Sequence, residues 1–215
     1  MSATDIGHYH RRMGRWQPDS RGRLEGAALA LYGERGFENT TVAEIAQRAG
    51  LTERTFFRHF ADKREVLFGG AVTLQELLVS AAVAAPASAA PIDAVASALD
   101  AAGALLQERR DFARQRHAVI AANAELRERE LIKLATLADA LADALCSRGA
   151  LRPAATLTAE AGIAVFRVAF ERWVTESGER TLQELMRDSM DELKAVTAGR
   201  VAGSSKAASS GRRST

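Results

Sequence analysis

From Ser20 onward, apolar residues recur at intervals of three and four, and nowhere does an alternating run of Val, Ile, Thr or aromatic residues lie between turn pairs. That pattern argues against a sheet-built core and predicts an all-α chain, because only a 3.6-residue repeat brings such positions onto one face. Helices are expected at about 20–35, 42–48, 53–60, 63–82, 92–109, 112–122, 125–147, 157–177 and 182–197. Three of the starts carry a capping box: Thr41 with Glu44, Asp62 with Glu65, and Thr181 with Glu184. Gly36, Gly50, Gly149 and Gly178 fall where a helix end wants a left-handed residue. Elements are short before Lys63 and long and alanine-rich after it, so a boundary is expected inside the helix that starts there. The expected division is a basic arm (1–19), a helix-turn-helix domain (20–68), a ligand-binding and dimerisation domain (69–198) and a basic tail (199–215).

At 215 residues and 47% hydrophobic, the chain can bury a sizeable core. No signal peptide is expected, since His8, His10, Arg11, Arg12 and Arg15 precede any apolar run. The most apolar stretch, 71–99, is read as too broken by Glu76, Pro86, Pro91 and Asp93 to span a bilayer. With one cysteine, Cys146, there is no internal disulfide or thiolate metal cluster. These features predict a cytoplasmic protein. Charge is unevenly placed: residues 1–23 hold five arginines against two aspartates, and Arg200, Lys206, Arg212 and Arg213 stand in a tail without acids. Since the formal net charge is only +2, the body between is acidic. Basic ends on an acidic body suggest a polyanionic partner met at the periphery, although the tail's composition also suits a disordered solubilising segment.

The run TVAEIAQRAGLTERTFFRHF narrows the partner. Ile45, Ala49, Leu51, Phe56 and Phe60 are spaced to form one small core, closed by Leu24, Leu31 and Phe37. Ala46 permits a close crossing, and Gly50 supplies the turn: a helix-turn-helix. Thr52 is a natural N-cap for the second helix. At about 100° per residue, Phe56 and Phe60 lie about 40° apart and define the buried direction. Arg58 points directly away, with Arg54 and Thr55 beside it and Phe57 and His59 on the flanks. A short helix that buries two rings and turns two arginines outward fits the major groove of duplex DNA.

The segment TTVAEIAQRAGLTERTFFRHFADKREVL resembles the DNA-binding segment of the tetracycline-repressor (TetR) family of bacterial transcription factors, over about residues 20–68. The resemblance implies a homodimer with one recognition helix per subunit, and DNA contacts at the positions of Thr41, Thr55, His59 and Lys63. Where the family commonly has tyrosine this chain has Phe57, so a hydroxyl bond to phosphate is replaced by ring packing on sugar or a thymine methyl. By chemistry alone Arg54 and Arg58 are candidates for guanine edges, whereas Thr41, Thr55, His59 and Lys63 set position on the backbone. Arg11, Arg12 and Arg15 are candidates for an adjacent minor groove or for phosphates. The expected DNA-binding set is therefore Thr41, Thr52, Arg54, Thr55, Phe57, Arg58, His59 and Lys63.

The long helices carry the rest. Gly162, Phe166, Ala169 and Trp173 make one stripe, while Val165 and Val168 extend apolar character around the helix, as expected for one buried on more than one side. Leu182, Leu185, Met186, Ser189 and Leu193 share a face of the last helix, and the resemblance implies that these two helices build an intersubunit four-helix bundle. Phe112, Arg116, His117, Phe166 and Phe170 are candidates for a small-molecule pocket, beside a cluster of Arg109, Arg110 and Arg114 that suits an acidic ligand group or a solvated face. The run RHAVIAANAELRERELIKLATLADAL is similar to a branch of the family with an acyl-CoA-like ligand, with Asn123 where that branch has proline. Scattered histidines, and the lack of a phosphate loop or nucleophile elbow, predict no enzyme, no metal site and no cofactor. The expected function is a DNA-binding regulator, a repressor released by a small apolar or acyl-type effector. The alternative is a helical small-molecule binder or adaptor without specific DNA readout.

Overall fold

The computed structural model describes residues 19–199, so the arm and tail arginines lie outside the described residues. All regular structure there is helical. The chain divides into two compact units between Val66 and Leu67.

The first unit holds α1 (Ser20–Arg35), α2 (Val42–Arg48) and α3 (Glu53–His59). Their shared core is Leu24, Leu31, Phe37, Ile45, Ala46, Ala49, Phe56 and Phe60, with Leu51 only half-buried. Thr41 caps α2 in a complete capping box with Glu44, and Thr52 caps α3 by accepting from the Thr55 amide at 3.2 Å. Between them the chain makes a Schellman turn: Leu51 N donates to Ala46 O at 2.8 Å and Gly50 N to Gln47 O at 2.9 Å. Gly50 has φ 63°, and a Cβ there would also meet Arg23 Nη2 at 2.8 Å, so the turn needs glycine twice over. Arg23 donates to the carbonyl of Ala49, which ties α1 to this turn.

The helix expected at 63–82 is interrupted. Asp62 accepts from the amides of Arg64 at 2.8 Å and Glu65 at 3.0 Å, but this heads only a 3-10 turn at Glu65–Phe68. The two glycines 69 and 70 follow before α4 begins. They lower helix propensity where Val66, Leu67 and Phe68 carry the apolar period onward.

The second unit comprises α4 (Ala71–Ala84), α5 (Pro91–Gln107), α6 (Arg110–Ala121), α7 (Ala124–Ser147), α8 (Arg152–Thr175) and α9 (Leu182–Thr197). α8 packs on α5, α7 and α9, and α4 on α5 and α7, around a core that includes Leu78, Val95, Leu99, Leu141, Leu145, Phe166, Trp173, Leu182 and Leu185. α5 and α8 approach so closely that a Cβ on Gly162 would run into Val95. α8 starts earlier than expected because Pro153 stands in its first turn, where a missing amide and a fixed φ do no harm. Gly149 ends α7 with φ 95°. Gly178 is not left-handed; α8 ends by extending at Glu176.

By length and composition alone, Glu65–Ala84 (mean hydropathy 1.7) and Arg152–Thr175 (1.2) are long and apolar enough to cross a membrane. The first of them is divided by Gly69 and Gly70 into a 3-10 turn and the 14-residue α4. α8 buries Ala155, Ala159, Ile163, Phe166, Ala169 and Trp173 within its own unit.

Candidate functional site

Among the described residues of the first unit, the outward side of α3 is where arginine charge is left unanswered. Phe56 and Phe60 are buried, at 0% and 4% exposure, while Phe57 is 55% exposed. Arg54 and Arg58 are exposed beside it. Every other described arginine of this unit has an internal partner. Arg21 pairs with Glu25, Arg35 with Glu44, Arg48 with Glu34 and Arg64 with Asp62, and Arg23 donates to the Ala49 carbonyl. Arg54 has no hydrogen bond or ion pair among the described residues. Arg58 has only the ring nitrogen of His59, at 3.4 Å. Two guanidiniums without an acid, flanking an exposed phenyl ring on a capped helix, make a surface for an anion with flat apolar edges.

The remaining expected contacts are placed differently. Thr52 and Thr55 hydroxyls bond each other at 3.0 Å. His59 Nε2 lies 2.8 Å from Ser20 Oγ, anchoring the end of α3 to the start of α1, where Arg21 also stacks over the Phe60 ring at 5.5 Å. Thr41 Oγ1 donates to Glu44 at 2.9 Å and accepts from its amide at 3.3 Å. The backbone and side-chain hydrogen bonds from Thr41, and then Arg35, hold the Glu44 carboxyl below its ordinary range against the opposing effect of desolvation.

Lys63 departs furthest from expectation. Its ammonium donates to the carbonyls of Phe37, Glu38 and Thr40 at 2.9, 3.1 and 3.0 Å and lies 4.5 Å over the Phe37 ring. All three of its protons are taken, so it staples the loop ahead of α2 rather than projecting toward a phosphate. Tyr32 Oη completes the staple by donating to Lys63 O at 2.6 Å; burial, then the nearby Asp62 charge, push its phenol well up.

In the second unit, the candidate pocket residues form two groups. His117, Phe166, Phe170 and Trp173 make one aromatic cluster: Phe170 lies 6.3 Å from His117, 5.7 Å from Phe166 in a stacked pair and 5.8 Å from Trp173. Trp173 was read as core from the sequence, and its membership shows only once α8 is folded. Phe112 stands apart, with Arg109 at 4.1 Å over its ring. Arg116 is engaged within the unit: its Nε donates to Leu67 O at 2.6 Å, its Nη1 to Glu130 at 2.9 Å, and its guanidinium covers Phe68 at 5.1 Å. Burial pulls its pKa down, opposed by Glu130.

The arginine cluster also turns inward. Arg110 donates to Trp173 O, Glu176 O and Gly178 O, and Arg114 to Val174 O and Glu176 O. Cations here satisfy the orphan carbonyls at the end of α8, where the helix dipole favours them. Among the described residues, no three His, Cys, Asp or Glu side chains are grouped to hold a metal ion.

A capped helix-turn-helix with a basic outward face, followed by an all-helical unit, is the architecture of a class of helix-turn-helix regulators. Residues 26–68 match the model for bacterial regulatory proteins of the tetR family, and residues 89–198 match the MftR C-terminal domain. The chain belongs to the TetR family. It is 38% identical over 82 residues to the HTH-type transcriptional regulator TcmR of Streptomyces glaucescens, a match covering 38% of this chain and 36% of TcmR. Its fold is similar to that of Thermus thermophilus FadR, a TetR-family repressor solved with lauroyl-CoA (TM-score 0.53, 22% identity, covering 88% of this chain and 100% of that one). It is also similar to a complex of SmeT, a multidrug efflux-pump repressor from Stenotrophomonas maltophilia, with triclosan (TM-score 0.60, 20% identity, covering 82% and 90%).

Proposed function

We propose that this protein is a cytoplasmic, homodimeric transcriptional repressor that binds a pseudo-palindromic DNA operator through α3 and is released by a small apolar or acyl-type effector. The observation that carries the reading is the pairing census of the first unit: acids or carbonyls answer its other described arginines, and leave Arg54 and Arg58 on the outward face of α3. Arg54 and Arg58 take base edges, and Phe57 packs on sugar or a thymine methyl. Thr52, Thr55 and His59 set position on the backbone, and Lys63 acts by holding the loop before Thr41.

Dimerisation through α8 and α9 is supported by Leu157 and Val168, 73% and 52% exposed, which share one outward stripe of α8 with Ala164. Val196 of α9 is also exposed, at 60%. Two copies would set their α3 helices about 34–36 Å apart, one turn of the duplex. The effector class is supported by the aromatic cluster and by the ligands of the two structural relatives, lauroyl-CoA with its apolar acyl chain and triclosan. Release follows if the effector favours a subunit spacing that does not fit successive grooves.

The test is selection of genomic fragments by the purified full chain, followed by salt titration of the winning sequence. A few enriched palindromic sequences, with log affinity falling linearly in log salt, are expected. Unenriched fragments would leave the small-molecule binder as the better account.

A further inference from the structure

We propose that the indole N–H of Trp173 is the buried hydrogen-bond donor of the effector site, and that it takes the carbonyl or other acceptor oxygen at the apolar end of the effector. The inference rests on the effector reading above and names the atom that would select the ligand.

Among the described residues only two buried side-chain N or O atoms lack a hydrogen-bond partner, Trp173 Nε1 and Ser189 Oγ. They do not weigh equally. A serine hydroxyl rotates about a single bond, and on a helix it can turn to the carbonyl four residues back. The indole N–H points wherever its ring points, and this ring is held. Trp173 is 0% exposed. Arg110 lies over its face at 5.6 Å, Phe170 packs at 5.8 Å, and Arg110 Nε and Nη2 donate to its carbonyl at 3.2 and 2.9 Å. The donor cannot swing to find a partner.

Buried donors in folded proteins almost always have an acceptor, because leaving one unmade forfeits its bonds to water. A site needing apolar volume alone has no use for an indole nitrogen. None of the described residues supplies the acceptor, so the assignment gives it to a bound molecule. Its surroundings set the part of the ligand seated here: Phe166, Phe170 and His117 continue from Trp173 as a run of rings, so that part is apolar beyond its one oxygen. Arg110 does not compete for that oxygen, since all three of its guanidinium nitrogens already donate to Trp173, Glu176 and Gly178 carbonyls. A site with one fixed donor rejects an analogue lacking the acceptor, because the donor is then left unpaired.

The test uses lauroyl-CoA and S-dodecyl-CoA, the thioether with the same chain but no carbonyl, on the full chain carrying Trp16→Phe. The second protein has the same background with benzothienylalanine at position 173, which keeps the bicyclic ring and replaces N–H by sulfur. Calorimetry should give about tenfold tighter binding of lauroyl-CoA than of the thioether by the parent. The analogue protein should bind both at the parent's thioether affinity, with Tm equal to the parent's or higher. Equal binding of both probes by the parent overturns the inference and leaves the effector reading standing. A Tm loss beyond about 3 °C in the analogue protein means the N–H has an internal partner, and overturns it too. Binding of neither probe overturns the acyl reading and this assignment with it.

Discussion

RTFFRH in α3 and RDFARQRH in α6 look alike as sequence: arginines, phenylalanine and a histidine at helical spacing. They end in opposite situations. In α3, Arg54 and Arg58 face outward with no acid or carbonyl to receive them. In α6, Arg110, Arg114 and Arg116 are all committed, the first two to the end of α8 and the third to Leu67 O and Glu130. What separates them is the element opposite. The open carbonyls at a helix C-terminus and a half-buried glutamate take up the α6 guanidiniums, whereas the inner side of α3 offers only phenyl rings and its outer side offers nothing. A basic-aromatic run is thus evidence for a nucleic-acid surface only after its possible internal acceptors have been counted.

The largest effect that would break this comparison is at Arg116. Arg116→Met should destabilise the protein by about 3 kcal/mol, because it leaves the Leu67 carbonyl and the half-buried Glu130 without their charged donor. Arg54→Ala should stay within about 0.5 kcal/mol. Urea unfolding of the two variants measures both, and equal losses would mean that Arg54 has a structural partner.

Lys63 gives a middle-sized effect. Lys63→Met removes three charge-assisted bonds to the carbonyls before α2 and should cost about 1–3 kcal/mol in the same assay. The salt slope of operator binding should be unchanged. A phosphate contact would instead lower that slope by about 0.9, so a salt titration separates staple from contact.

The smallest effect concerns pH. The Glu44 carboxyl lies below its ordinary 4.5, chiefly because of its bonds from Thr41. A lowered folded value means the bonds stabilise the protein above the ordinary glutamate range and are lost as pH falls through the folded value. Glu44→Gln should therefore flatten the acid limb of stability below the ordinary glutamate range, and leave Glu34, Asp62 and Glu184, whose carboxyls are also held low, to supply what remains.

Much of the fold was legible because local rules and packing agree. Thr41, Thr52 and Thr181 start helices where their hydroxyls can cap, and the Phe56–Phe60 spacing fixed the buried side of α3. The misses have physical causes. The break at Gly69–Gly70 was hidden by apolar residues that kept the helical period. The early start of α8 at Arg152 was hidden because Pro153 reads as a stop unless it sits in a first turn. The site was less legible than the fold. Sequence reveals that Lys63, Arg110, Arg114 and Arg116 are cations, but not which carbonyls lie within reach, because those belong to residues 23 to 68 positions away. Trp173 hid for the opposite reason: its stripe position explains its burial and says nothing of its N–H.

The most direct test of the central claim is an affinity map. Binding of the protein, Arg54→Ala and Arg58→Ala is measured against every single-base variant of the selected operator. Loss of discrimination by about 1–3 kcal/mol at one or two particular base pairs per half-site, with folding intact, is the expected result. A uniform drop at every position, or no change at all, would show that the outward face of α3 does not read sequence.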